Sequence, residues 1–379
     1  MLSRVHLEVY DREFAYQGHI DAPATLTATR RHLTGTSTAE FTMDGTGDVR
    51  DALTGDGAVV VVVLDDEPFL AGWVASDAGD TTPGGPLTYE LVGLDSLLWD
   101  ILGWPVPANG LDSQNVGYWR ESGPAETVLK AAVQQNADRL GLPVTVAPDQ
   151  GRGGDVQVQL RFHPLIDRLQ PKLIAAGVGV TVDLVEGQGL VVDCYEVTEH
   201  EIPLDAESGV LTGGTWKRTK PTITRVVAGS QGEAEARQFW GPTVADWESN
   251  SPRVIEHFID ARDVSDDEDD DGDAEAETQD RMDEAIADGA EVYDLALELE
   301  ATDEFAYGLH WQPGDIVPLA PRPDVTIPAQ IAAAELTIDG GVRVRPVVGS
   351  GDDPLAQALG PLIKQVRALS RARRNEAVR

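Results

Sequence analysis

The chain has 379 residues, 41% of them hydrophobic, with 38 Gly and 23 Pro; this is apolar material for two or three packed domains and turn formers for a β-rich fold. Its net charge is −36, from 65 Asp and Glu against 29 Lys and Arg, and a surface of that sign repels phosphate and argues against duplex binding. No apolar run approaches the roughly 18 residues of a membrane-spanning helix, so no membrane insertion is expected. The lone Cys194 excludes an intramolecular disulfide and a thiolate metal cluster within one chain.

The acid is unevenly placed. Residues 266–304 carry 19 Asp or Glu against a single Arg281, half of the net charge. Lys is scarce and Arg frequent, a composition shared by proteins of high-salt cytoplasms, where screening relieves self-repulsion, and also favoured by a GC-rich host. The N-terminus lacks the basic and apolar regions of a signal peptide, which predicts assembly in a cytoplasm.

Residues 1–97 read as strands. Val5, Leu7 and Val9 alternate against His6, Glu8 and Tyr10, and further strands are predicted over 25–32, 39–43, 58–64, 69–74 and 87–92. Val-rich 58–64 and 69–74 form a hairpin across the acidic turn at Asp65 and Asp66. From 98 to 205 the pattern becomes mixed. Val128, Leu129, Ala132, Val133, Asn136 and Leu140 follow helical spacing behind Pro124, and Leu165, Leu169 and Leu173 do so ahead of Gly177. Pro171 is expected to kink or split the second helix. A hairpin over 178–195 turns at Glu186-Gly-Gln-Gly189.

Residues 206–350 return to strands, at 222–227, 234–240, 292–300, 305–311, 315–319, 329–338 and 342–348, interrupted by an acidic loop at 264–279 and a short helix over 280–288. A basic amphipathic helix is predicted over 351–379. Leu355, Leu359, Leu362, Val366 and Leu369 form its apolar stripe, and Arg367 and Arg371 lie towards its basic end. That stripe needs a cover, which makes these seven residues the candidate partner-binding site.

Chemical motifs are weak. Asp267, Asp269, Asp271 and Gly272 match the start of a calcium loop, but position 12 is Thr278 where a bidentate Glu is required, so a solvated acidic loop is the expectation for 265–278. Ala228-Gly-Ser230-Gln-Gly232 resembles a nucleophile elbow, yet the residues that follow read as a returning strand, as in a hairpin. The seven His show no metal-binding spacing, and no cofactor is expected. Trp119 reads as core.

Four stretches, taken in order, resemble the minor tail or hub proteins of long-tailed, siphovirus-type phages. These proteins are related to the hub of contractile-tail baseplates and to the N-terminal part of tail-associated lysins. The stretches are 59–74, ending in Phe69-Leu-Ala-Gly-Trp73-Val74; Thr222-Ile-Thr-Arg-Val-Val-Ala-Gly-Ser-Gln-Gly-Glu233; Phe258-Ile-Asp-Ala-Arg-Asp263; and Gly314-Asp-Ile-Val317 with Ile338-Asp-Gly-Gly-Val-Arg-Val-Arg-Pro346. The acidic loop after Asp263 departs from that pattern. The resemblance implies an α+β, mainly β chain with tube-like β-barrel domains at 1–97 and 206–350 around an α+β insertion at 98–205. It also implies a homotrimeric ring at the virion tail tip that passes DNA without specific binding. The implied neighbours are a distal tail protein ring, a tape-measure protein and tail fibre or tip proteins. No catalytic residue is carried over, so the chain is expected not to be an enzyme; a tail-associated glycan hydrolase and a glycan-binding adhesin are the alternatives.

Overall fold

The computed structural model describes residues 4–348, apart from 22, 45–48, 83, 230–236, 263–273 and 339, and apart from the side chains of 274–277 and 280. It is mainly β, with 48% strand and 17% helix. The chain gathers into two compact units. One takes the residues up to Gly214 and again from Ala296; the other is built on Thr215–Leu295.

The first unit starts with β1 (Val5–Tyr10), β2 (Tyr16–Ile20), β3 (Thr25–Arg31), β4 (Thr38–Met43), one helical turn α1 (Arg50–Leu53), β5 (Val59–Leu64), β6 (Glu67–Gly79) and β7 (Leu87–Gly93). Alternation does what it should: Val5, Leu7 and Val9 are buried, and Phe41 stacks on Tyr89 at 5.2 Å in the core. The Val run of β5 is buried along its length, as a strand covered on both faces must be. It turns into β6 through Asp65 and Asp66, both left-handed (φ 52° and 68°), the pair of angles that suits the twist of a two-residue hairpin. The Asp65 carboxylate accepts the Arg4 amide at 2.7 Å and helps fix this turn.

The insertion follows: α2 (Leu97–Asp100), β8 (Leu102–Gly103), β9 (Trp119–Pro124), α3 (Ala125–Leu140), β10 (Val144–Val146), β11 (Asp155–Leu160), β12 (His163–Pro164), α4 (Leu165–Ala175), β13 (Val178–Val185) and β14 (Gly189–Glu196). Helix α3 starts one residue after Pro124, buries Val128, Leu129, Ala132, Val133 and Ala137, and stops at left-handed Gly141. Pro171 does not split α4. Leu165, Ile166, Leu169, Leu173 and Ile174 are all buried, and their packing holds the helix through the missing amide.

A ribbon of β15 (Leu211–Thr219) with β19 (Val292–Leu299) leads into and out of the second unit. That unit contains β16 (Arg225–Gly229), β17 (Phe239–Val244), β18 (Glu256–Asp260) and helix α5 (Ala274–Asp288), with sheet order β17-β16-β18. Val226 and Ala228 pack on Met282, with Ile223, Trp240, Ile259, Ala285 and Ile286 around them. The helix begins at Ala274, six residues before the predicted start, so the end of the expected acidic loop is helical. Thr278, Met282 and Ala285 supply an inward stripe that the acidic composition hides. Residues 263–273 of that loop lie outside the described residues.

The last strands, β20 (Ile316–Arg322), β21 (Val325–Ile338) and β22 (Val342–Val348), return to the first sheet. Its order is β2-β1-β5-β6-β7-β4-β3-β21-β20, with β22 also paired to β21. The two closed barrels anticipated from sequence are therefore corrected. The path is open at both ends, no closed barrel forms among the described residues, and the last three strands expected in a second barrel complete the first sheet while the others lie in separate sheets. The cause is β21, whose Ala329, Ile331, Ala332, Ala333 and Ala334 are buried on both faces and pair with β3 from Ala333↔Arg31 to Ile338↔Leu26. A fragment of residues 1–97 would expose the β3 edge and the apolar residues beside it. It is expected to show no cooperative thermal transition by circular dichroism, whereas the full chain does.

Candidate interaction surfaces

The predicted partner-binding residues Leu355, Leu359, Leu362, Val366, Leu369, Arg367 and Arg371 lie outside the described residues, as do Asp267, Asp269, Asp271 and Ser230. On either side of Ser230, Gly229 of β16 pairs antiparallel with Phe239 of β17, so the two strands flanking the segment are hairpin partners. Among the described residues no group of three or more His, Cys, Asp or Glu is placed to hold a metal ion, and no helix is long and apolar enough to cross a membrane. Trp119 is buried and donates its indole N–H to Gln135.

The insertion is organised around a buried charge cluster that sequence reasoning missed. Lys130 and Glu126, one turn apart on α3, look like a surface pair but are both buried. The Lys130 ammonium uses its three donors on Glu126 Oε1 (2.6 Å), Asp193 Oδ1 (2.9 Å) and the Pro148 carbonyl (3.2 Å). Arg152 closes the ring: its amide donates to Glu126 Oε2 at 2.8 Å, and its guanidinium reaches Asp193 and the Cys194 carbonyl. Burial alone would raise the Glu126 carboxyl, but these donors outweigh it and hold it below the ordinary carboxylate range. Burial pushes the neighbouring Cys194 thiol up to about 12, so it is a packed side chain and not a nucleophile.

A second knot ties three distant segments of the first unit. Tyr195 donates its hydroxyl proton to the Pro313 carbonyl at 2.7 Å, so the 3.3 Å contact between that oxygen and His32 Nδ1 requires His32 to donate. His32 therefore carries a proton on Nδ1, and its buried Nε2, which finds no partner among the described residues, favours the neutral ring. Burial drives its pKa down to about 4. Next to it, Gly314 is left-handed (φ 102°), and a Cβ there would lie 2.6 Å from the His32 ring. Asp315 then accepts the amides of Thr198 and Gln312 and faces His200 at 3.3 Å.

The exposed side of the insertion carries a cationic and aromatic patch. Arg120 and Arg161 lie 6.0 and 5.5 Å from the centre of the Tyr118 ring, and Arg139 lies 4.3 Å from that of Trp104. Phe162 meets Trp104 edge-on at 5.6 Å. Tyr118 and Phe162 are about two-fifths exposed, at 41% and 40%. In sequence this patch is dispersed over 104–162, and nothing in the spacing brings it together.

Residues 6–350 match the family model described as Siphovirus ReqiPepy6 Gp37-like protein. The chain belongs to this family. Its fold, as a member, is also that of solved prophage tail proteins. Similar structures include the 43 kDa tail protein of prophage MuSo2 from Shewanella oneidensis (TM-score 0.54, 13% identity, covering 93% of this chain and 99% of that one). Others are prophage tail protein gp18 from Listeria monocytogenes EGD-e (0.52, 11%, 96% and 99%) and a tail protein from Neisseria meningitidis MC58 (0.51, 11%, 94% and 99%). No curated protein sequence matches this family member. The suspected kinship with siphovirus tail proteins is thus established, while identities this low carry the fold alone.

Two tests follow from the buried groups. Lys130→Met leaves the Glu126 carboxylate buried with Arg152 as its remaining cation, and is expected to cost about 3–5 kcal/mol in denaturant unfolding. The double variant Glu126→Gln/Lys130→Met should cost less than the single, because no full charge is then left stranded on α3. For His32 the folded pKa lies below the free value of 6.5, so the unfolded chain binds the extra proton between those values. Stability is full above pH 6.5 and falls by about 3 kcal/mol as pH drops to 4. His32→Phe should flatten that part of the pH profile.

Proposed function

We propose that this chain is a structural protein of a siphovirus-type tail tip, three copies of which form a ring at the end of the tail tube through which DNA passes. The observation that carries the reading is the family match over 6–350, joined to a fold that spans 99% of the length of a prophage tail protein. Charge supports it: at −36 the protein offers phosphate no general attraction, and a conduit for DNA should not retain its cargo. On this reading the segments 1–97 and 206–350 are the ring-forming parts, 98–205 is the insertion, and the helix read from sequence at 351–379 docks on a partner through Leu355, Leu359, Leu362, Val366 and Leu369. The neighbours are a distal tail protein ring, a tape-measure protein and fibre or tip proteins, and the location is the virion tail tip after assembly in the host cytoplasm. The role is non-enzymatic.

Native mass measurement and electron microscopy of the purified protein and of assembled tails test this directly. The expected result is three copies around a central channel at the tail tip. A virion that lacks the chain, or holds it as an isolated monomer, would sink the reading.

A further inference from the structure

The patch on the insertion gathers cations and aromatic rings on the surface of an acidic chain. With 65 acidic residues to choose from, exposed Arg120 and Arg161 make no ion pair among the described residues and rest on the Tyr118 ring, while Arg139 stacks on Trp104 and donates to the Leu102 carbonyl at 3.2 Å. The arrangement is also held under strain. Phe162 is left-handed (φ 57°), a backbone conformation that a bulky side chain rarely adopts, and yet its ring is exposed. What holds it there is the short β8–β12 pairing. The Phe162 amide donates to the Gly103 carbonyl at 2.7 Å, and Gly103 packs so closely that a Cβ would lie 2.7 Å from Leu160. Strain kept in place to present an aromatic ring to solvent, flanked by unpaired arginines, has the composition of an interface centre: Arg, Tyr, Trp and Phe.

We infer that this patch docks on an acidic surface of a second copy of the chain. The inference rests on the ring reading above and adds one contact to it, from the insertion of one copy to an acidic surface on the ring-forming segments of the next. Charge complementarity selects the occupant. Two copies at −36 repel wherever acid meets acid, and a cationic patch meeting the prevailing surface turns that repulsion into attraction. Arginine suits the task because its planar fork engages a carboxylate through two parallel hydrogen bonds. The patch cannot face its own equivalent, since arginine would then meet arginine. The contact therefore joins two different surfaces, and in a threefold ring such a contact runs head-to-tail from each copy to the next.

Sedimentation velocity of the full chain over a concentration series, with native mass measurement, tests this. Arg120→Glu/Arg161→Glu is expected to weaken self-association on the order of tenfold or more. The control Arg168→Glu/Lys172→Glu carries the same net charge from exposed sites on α4, outside the patch and outside the ring-forming segments, and should stay close to wild type. Phe162→Gly relieves the backbone strain, so it should fold with undiminished thermal stability and still associate more weakly. If the patch variants associate like wild type, or no more weakly than the control, the inference is wrong while the ring reading stands. If the variants form normal assemblies that fail to join tails, another tail protein is the occupant and self-docking is overturned. If the wild-type chain stays monomeric both alone and in tails, the ring reading falls and takes this contact with it.

Discussion

The pairing of β21 with β3 is the constraint on which the first unit depends. It joins residues about 300 positions apart, and loop closure on that scale costs chain entropy before any contact rewards it. The compensation is concentrated at the seam. β21 buries a run of small and branched residues on both faces, and the His32, Tyr195 and Asp315 knot sits where β3, β14 and the approach to β20 meet. Every polar group in that knot has a direction. Tyr195 can give its proton only to a carbonyl, His32 must answer as donor, and Gly314 leaves room for its ring. A seam specified by hydrogen-bond direction tolerates fewer alternative registers than one specified by apolar burial alone.

The insertion solves a related problem with charge. Glu126, Lys130, Arg152 and Asp193 form a balanced set of two acids and two bases, each held by more than one partner. Well-packed apolar residues could give comparable stability. What the ionic set adds is direction: it joins the first turns of α3 to the 148–152 loop and to the middle of β14. Polar satisfaction, more than burial, fixes how the helix meets the hairpin.

Much of this was legible in the sequence, and the exceptions have physical causes. The alternation of β1, the Val run of β5, the helix after Pro124 and the 178–195 hairpin are local patterns, and local patterns survive folding. β2 and β9 escaped because Tyr-Gln-Gly-His-Ile and Trp-Arg-Glu-Ser-Gly-Pro are polar strands held by their partners and not by their own alternation. Residues 305–311 read as a strand. They instead fold back through turns, so that Phe305 and Tyr307 both pack on Trp311. The larger miss, an open sheet in place of two barrels, came from reading each strand by its own pattern. Pattern fixes which face is buried and is silent on which distant strand lies alongside. The buried charges were invisible for the same reason: at i,i+4 on a helix, Glu126 and Lys130 have the spacing of a solvated pair.

Net charge joins the fold to its use. A strongly acidic chain gains solubility and indifference to DNA, but it also resists its own assembly, because each copy repels the next. An assembly built from such chains therefore needs short-range attraction at defined places, strong enough to overcome a long-range repulsion that salt screens over about 10 Å. Apolar burial can supply part of it without regard to direction. Cationic groups left unpaired within the chain supply the rest, and they also choose which surface is met. On this argument the most informative side chains on the insertion are Arg120 and Arg161, exposed arginines that rest on Tyr118 with no carboxylate partner among the described residues.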